Sequence, residues 1–339
     1  MAFFKKDPLQ IIAFQSYATD THLYIRGRAL EDENIDLSKR GFLSLLRNTW
    51  KRFETDEIPN VKLKIILPNN TFLYTTTNSK GYFKLEENLE NLQSLANSEG
   101  WLNYKIQFED QFPDRIINNN NSFSGEVLIP STNSSFGVIS DIDDTILTTG
   151  VVSKLKWRLI YNTLFKNAES RSPLEGAAEF YNQLHRGASG KEANPFFYVS
   201  HSPWNLYRYL ELFLQKNTFP KGPILLRTLG NLFGKKSAGE KPQKQKEIVN
   251  ILKTYPERQF ILIGDSGEHD ADIYIEIAEA FPGRIKAIYL RSVKHKKRML
   301  RIRGLVDNYK TVPALLVENA SQAIEHAKEH NFISSDSLI

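Results

Sequence analysis

The chain has 339 residues, longer than one typical domain, so two domains are expected. A hydrophobic fraction of 41% and an aromatic fraction of 12% supply real cores, and a net charge of +5 suits an anionic ligand or surface without demanding nucleic acid. The absence of cysteine excludes disulfides, zinc–thiolate centres and cysteine nucleophiles.

The opening Met1-Ala-Phe-Phe-Lys-Lys6 is too short and too quickly charged for a secretion signal, so a cytoplasmic location is expected. No apolar run reaches the length of a membrane span. Residues 1–130 read as a β-rich, sandwich-like domain. Strand composition or alternation marks Leu23–Leu30, Val61–Ile66, Phe72–Thr77, Tyr82–Leu85, Tyr104–Phe108 and Gly125–Ile129. Asn78-Ser-Lys-Gly81 is a turn. One inserted helix, capped at Ser38, carries Phe42, Leu45, Leu46, Thr49, Trp50 and Phe53 on a single stripe. Arg26 and Arg28 flank Gly27 and suit contact with an anion, but a solvated strand edge is the favoured reading. No catalytic cluster shows here. Ser131–Ser135 reads as the linker.

Residues 136–339 alternate strand and helix, the pattern of a parallel sheet with helices on both faces. Buried strands are expected at 136–139, 196–199, 224–226, 260–263 and 287–290. Helices are expected at 157–165, 176–184, 205–215, 244–252 and 273–280. Polar residues follow four of the strands: Asp141 with Asp143, Ser200, Arg227, and Asp265 with Asp270. In a parallel sheet these ends share one edge, where ligands of open α/β sheets bind.

Asp141 and Asp143 are two apart, so in extended backbone they point the same way. Close carboxylates repel, and a hard divalent cation such as Mg²⁺ relieves the repulsion. A calcium loop counted from Asp141 would need glycine where Ile146 stands and glutamate where Val152 stands, so that reading fails. The neighbours Ser200, His201 and Ser202 do not read as a serine-hydrolase triad, because residues adjacent along a strand end rarely align as nucleophile and base.

The ordered set Asp141-Ile-Asp-Asp-Thr145, Ser200, Lys244 and Asp265/Asp270 resembles the four motifs of the haloacid dehalogenase superfamily of phosphohydrolases. Within it, the chain resembles the actin-patch-type phosphatidate phosphatase catalytic-domain family over about residues 136–300. Ser140–Thr145, Tyr198–Asn205, Gly222–Arg227, Ile261–Asp270 and Phe281–Ile285 carry that resemblance. It implies a doubly wound parallel sheet and Mg²⁺-dependent phosphomonoester hydrolysis through an aspartyl-phosphate, with phosphatidate as the favoured substrate. Asp141 would be the nucleophile and Asp143 the acid and base. The Asp141 and Asp265 carboxylates and the Asp143 carbonyl would hold the metal. Ser200 and Lys244 would bind phosphoryl oxygens, and Asp270 would orient Lys244 or a metal-bound water. Thr145 holds the turn. Arg227 and His269 are weaker substrate candidates. Lys241 and Lys246 compete with Lys244, which is chosen because Ile248 and Ile251 then fall on the buried face.

Lys294, Lys296, Lys297 and Arg298, with the loop at Lys235-Lys236, form basic stretches that suit an anionic membrane surface. Leu155, Trp157, Leu159 and Ile160 fall where the superfamily places cap elements. The partners implied are phosphatidate or another phosphomonoester, and an anionic membrane met from the cytoplasm. No nucleic-acid partner is expected. Two rival readings stand beside this one: a phosphatase for a soluble metabolite or a nucleic-acid end, and a non-catalytic membrane-surface module. Intact Asp141, Asp143 and Asp265 argue against the second.

Overall fold

The computed structural model describes residues 7–32, 57–142, 176–227, 241–266, 269–292 and 296–335, without the side chains of 205 and 296–298. The helices expected over 42–53 and 157–165, the loop at 235–236, Asp143, Thr145 and Lys294 lie outside these residues. The chain separates into two compact units, Met1–Pro130 and Ser131–Ile339.

The first unit contains β1 (Leu9–Ala18), β2 (His22–Glu31), β3 (Lys62–Ile66), β4 (Phe72–Thr76), β5 (Tyr82–Asn88), β6 (Trp101–Phe108) and β7 (Phe123–Leu128). Alternation dictates which side chains turn inward. On β3, Leu63 and Ile65 are fully buried between exposed or half-buried neighbours. The expected turn after β4 holds because Asn78 Oδ1 accepts from the Lys80 and Tyr82 amides at 2.9 and 3.1 Å, and Gly81 adopts φ +71°.

All seven strands form one sheet in the order β4-β3-β6-β7-β1-β2-β5. Its two edge strands approach each other: Thr75 Oγ1 on β4 donates to the Lys84 carbonyl on β5 at 2.8 Å. Leu9, Ile25, Leu63, Leu85, Ile106 and Val127, from six different strands, join one core cluster. The sandwich expectation is therefore corrected. Hydrogen bonding is continuous through one curled sheet, whereas a sandwich needs two sheets. The link is β1, which pairs antiparallel with β2 and parallel with β7. Arg28 is corrected too. It lies on an interior strand, 8% exposed, and its Nη2 reaches Glu57 Oε1 at 3.1 Å.

The second unit contains β8 (Gly137–Asp141), β9 (Phe196–Pro203), β10 (Ile224–Arg227), β11 (Phe260–Asp265), β12 (Ile285–Arg291) and β13 (Ala314–Val317). Its described helices are α1 (Ala177–Arg186), α2 (Tyr207–Lys216), α3 (Gln243–Thr254), α4 (Asp270–Ala280), α5 (Lys296–Asn308) and α6 (Ala320–Glu329). The strands run in the order β10-β9-β8-β11-β12-β13, and every neighbouring pair is parallel. Every residue of β8 and β11 is buried, as expected of strands covered on both faces. Full burial of Val138 or Ile139 contributes about 1.5–3 kcal/mol each. The start of β8 is pinned by buried Asn194, which accepts from the Ser135 amide at 2.9 Å and donates to the Leu184 carbonyl at 2.9 Å.

Strand order reverses once, between β8 and β11: β9 and β10 extend one way from β8, and β12 and β13 extend the other way from β11. The crevice beyond the carboxyl ends at such a reversal is where α/β sheets bind ligands. Among the described residues, no helix is long and apolar enough to cross a membrane.

Candidate active site

Asp141 is the last residue of β8 and Asp265 the last of β11, the two strands that flank the reversal. Both carboxylates are fully buried. Lys244 enters from the first turn of α3. Its side chain runs under the sheet edge, fully shielded, because α3 buries the face that carries Lys244, Ile248 and Ile251. Lys244 Nζ lies 2.8 Å from Asp141 Oδ1 and 2.6 Å from Asp270 Oδ1. Asp270 opens α4, where the positive end of the helix dipole favours a carboxylate. Its other oxygen accepts from the Asp265 amide at 3.2 Å. That approach requires glycine at 264, since a Cβ there would stand 2.5 Å from Asp270 Oδ2.

One carboxylate oxygen from each of Asp141, Asp265 and Asp270 lies within 4.8 Å of the other two. Ionised together, three carboxylates and one ammonium leave a surplus of two negative charges in a buried space. Buried charge demands compensation. An all-oxygen donor set of this sign fits a hard divalent cation.

Two tyrosines brace the site from behind. The Tyr181 hydroxyl on α1 donates to Ser140 Oγ at 2.8 Å, and Ser140 Oγ donates to the Asp141 carbonyl at 2.9 Å. The Tyr274 hydroxyl donates to the Ile263 carbonyl at 2.9 Å. Burial pushes both phenols well above their ordinary pKa, so they stay neutral. Sequence reasoning missed both, because a tyrosine on the apolar stripe of a helix reads as core.

The other expected residues are placed as follows. Ser200 lies one residue past Val199, the register partner of Asp141, on the same sheet edge. Its Oγ is buried and accepts from the Ser202 amide at 2.9 Å. Arg227 ends β10 opposite Pro203, and burial lowers its guanidinium pKa. The His269 side chain is 88% exposed, with Nδ1 3.8 Å from Asp272 Oδ2. Lys241 pairs with Glu276 at the surface, and Lys246 sits two residues from Lys244, on the far side of α3. Of the three lysines, Lys244 is the one the fold brings to the carboxylates. Trp204 is a packing residue, 4% exposed and stacked on Tyr207 with ring centres 6.3 Å apart.

The catalytic-domain model of phosphatidate phosphatase APP1 matches residues 136–292. Over 156 residues the chain is 40% identical to phosphatidate phosphatase APP1 of Saccharomyces cerevisiae, a match covering 46% of this chain and 25% of the yeast protein. An uncharacterised protein of Schizosaccharomyces pombe is 27% identical over 244 residues, covering 72% of this chain and 37% of that protein. The second match is longer than the Ser131–Ile339 unit, so it takes in part of the first unit as well. The chain thus spans well under half the length of these curated relatives. A solved carbohydrate esterase aligns over 96% of this chain and 98% of its own at 10% identity, but its TM-score of 0.25 carries no fold argument. Residues 136–292, which contain Asp141, Ser200, Lys244, Asp265 and Asp270, are thus similar to the catalytic domain of phosphatidate phosphatase APP1.

Proposed function

We propose that the chain is a Mg²⁺-dependent phosphomonoester hydrolase that converts phosphatidate to diacylglycerol on a haloacid dehalogenase-like, doubly wound fold. The observation that carries this reading is the buried group of Asp141, Asp265, Asp270 and Lys244 at the reversal of a parallel sheet. The strand order supports the fold assignment, and the relative's name supports the substrate.

Asp141 attacks phosphorus, and the phosphorus–oxygen bond to the glycerol breaks. Asp143, from the sequence motif, gives its proton to the departing alkoxide. A water then attacks the aspartyl-phosphate and loses its proton to Asp143, releasing phosphate and restoring Asp141. Lys244 holds the Asp141 carboxylate in place, and its ammonium binds the phosphoryl oxygens of the substrate. Asp270 fixes the Lys244 ammonium. Ser200 supplies a hydroxyl at the same edge. The Asp141 and Asp265 carboxylates and the Asp143 carbonyl would hold Mg²⁺, which would supply charge neutralisation during phosphoryl transfer. The protein acts at the cytoplasmic face of an anionic membrane, attached peripherally.

The test is phosphate release from phosphatidate-containing vesicles, with and without Mg²⁺, beside a panel of soluble phosphomonoesters. Release from phosphatidate that depends on Mg²⁺ is expected. Preferred release from a soluble ester would reassign the substrate, and no release from any ester would end the enzyme reading.

A further inference from the structure

We propose that the outward face of β4, β3 and β6 in the first unit is a docking surface for an anionic lipid bilayer. The proposal rests on the reading that the substrate lies in a membrane. Among the described residues, four large hydrophobic side chains are exposed, and two of them, Phe72 (51%) and Tyr74 (54%), stand two apart on edge strand β4. Alternation puts both on the side opposite Leu73, which packs into the core. Register fills in the rest of the face. Ile66 on β3 stands opposite Phe72, Lys64 opposite Tyr74, and Lys62 opposite Thr76. On β6, Lys105 stands opposite Ile66. The result is a small apolar centre of Phe72, Tyr74 and Ile66 bordered by three lysines. The acids near in register are Glu109 and Asp110, which follow the end of β6 beside the Lys62 backbone, and Glu126 on β7, opposite Asn103 and diagonal to Lys105.

A lone exposed aromatic needs no explanation, but a paired one inside a lysine border does. Phenylalanine and tyrosine partition into the bilayer interface, and lysines there meet anionic headgroups. A single-stranded nucleic acid could also meet aromatics and lysines on a sheet. It would need an open ring face for a base to stack on. Lys64 Nζ sits 4.2 Å from the centre of the Phe72 ring and covers one such face. The charge complement and the covered ring favour the bilayer.

The test uses the full chain with vesicles that contain no phosphatidate, so that docking is separated from substrate capture. Co-sedimentation is measured with phosphatidylcholine vesicles and with vesicles of phosphatidylcholine and phosphatidylserine. The unmodified protein should bind the second and not the first. The double variant F72S/Y74S should lose about tenfold in vesicle affinity, and K62Q/K64Q/K105Q about fivefold per lysine. Both variants replace exposed or half-exposed residues, and thermal melts check that the fold is kept. Turnover of a soluble phosphomonoester should be unchanged in both. Unaltered vesicle binding in both variants, or no binding by the unmodified protein, overturns the proposal. Loss of oligonucleotide binding with vesicle binding intact would overturn it in favour of nucleic acid. If the protein fails to hydrolyse phosphatidate yet binds phosphatidylserine vesicles through this face, the substrate reading falls and the docking face stands.

Discussion

In the first unit, buried polar side chains are scattered, and each closes a local gap. Ser16 Oγ donates to the Phe14 carbonyl, Thr77 Oγ1 donates to that of Ile58, and Arg28 pairs with Glu57. In the second unit, Asp141, Asp265, Asp270 and Lys244 gather in one place and leave a charge surplus. The difference follows from strand direction. Antiparallel neighbours send alternate strand ends to opposite edges, which disperses whatever follows them. Parallel strands joined by crossovers bring every carboxyl end to one edge. Residues more than a hundred apart, such as Asp141 and Lys244, then meet inside one crevice.

Replacing the residue at the centre of that gathering should have the largest effect. Asp141→Asn keeps the shape and removes the charge of the proposed nucleophile. Phosphate release should fall by about four orders of magnitude. Stability should not fall with it. The variant relieves one of three crowded carboxylates, so its melting temperature in chelator should equal or exceed that of the unmodified protein. Mg²⁺ should raise the melting temperature of the unmodified protein more than that of the variant. Near-normal phosphate release would sink the covalent mechanism. A large loss of stability would mean that Asp141 is a structural partner of Lys244 and not a site residue.

Two buried cations, one from each unit, sharpen the contrast. Lys244→Met leaves three buried carboxylates without their ammonium, a change that costs about 3–5 kcal/mol in comparable cases. Phosphate release should also be lost. Arg28→Gln removes a cation of similar burial, but its partner Glu57 has a side chain 42% exposed and stays hydrated. Its cost should be about 1 kcal/mol, with phosphate release unchanged. Melting curves and release assays on both variants decide. Equal destabilisation, or loss of activity in Arg28→Gln, would contradict the division of roles between the units.

Much of this contrast can be read from the chain itself. The apolar run Phe136–Ile139 ending in carboxylates marks both a buried strand and its functional end, because a parallel strand covered on both faces must be apolar until it leaves the sheet. Lys244 stands out from Lys241 and Lys246 through helical periodicity alone. Strand β1 did not stand out. Its burial pattern does not alternate cleanly, and its register with β2 shifts between Phe14 and Tyr17. The single curled sheet was also not legible, since it depends on a non-local parallel pairing of β1 with β7. From the sequence alone Arg28 reads as part of a solvated strand edge. In the structure Gly27 is there for room: a Cβ would stand 2.5 Å from the Ile12 carbonyl oxygen. The Tyr181–Ser140 bond joins a helix to a strand 41 residues away, and no local signal marks it.

The smallest expected effects come from two buried tyrosines, one in each unit, and they should have opposite signs. Burial pushes both phenols above their ordinary pKa, so both stay neutral near neutral pH. The Tyr104 hydroxyl on β6 is buried and has no hydrogen-bond partner among the described residues. A buried hydroxyl without a partner carries a desolvation cost, so Tyr104→Phe should be neutral or stabilise by up to about 1 kcal/mol. Tyr181 donates to Ser140, directly behind the carboxylate of Asp141. Tyr181→Phe should therefore cost about 1 kcal/mol. Because Ser140 keeps its bond to the Asp141 carbonyl, Asp141 stays in place and phosphate release should drop no more than a few-fold. Melting temperatures of the two variants, measured side by side with release rates, check both signs. A stabilising Tyr181→Phe would mean that the hydroxyl pair behind the nucleophile is strained. A strongly destabilising Tyr104→Phe would mean that the first unit hides a polar partner, and that its polar groups are less self-contained than the scattered pattern of Ser16, Arg28 and Thr77 implies.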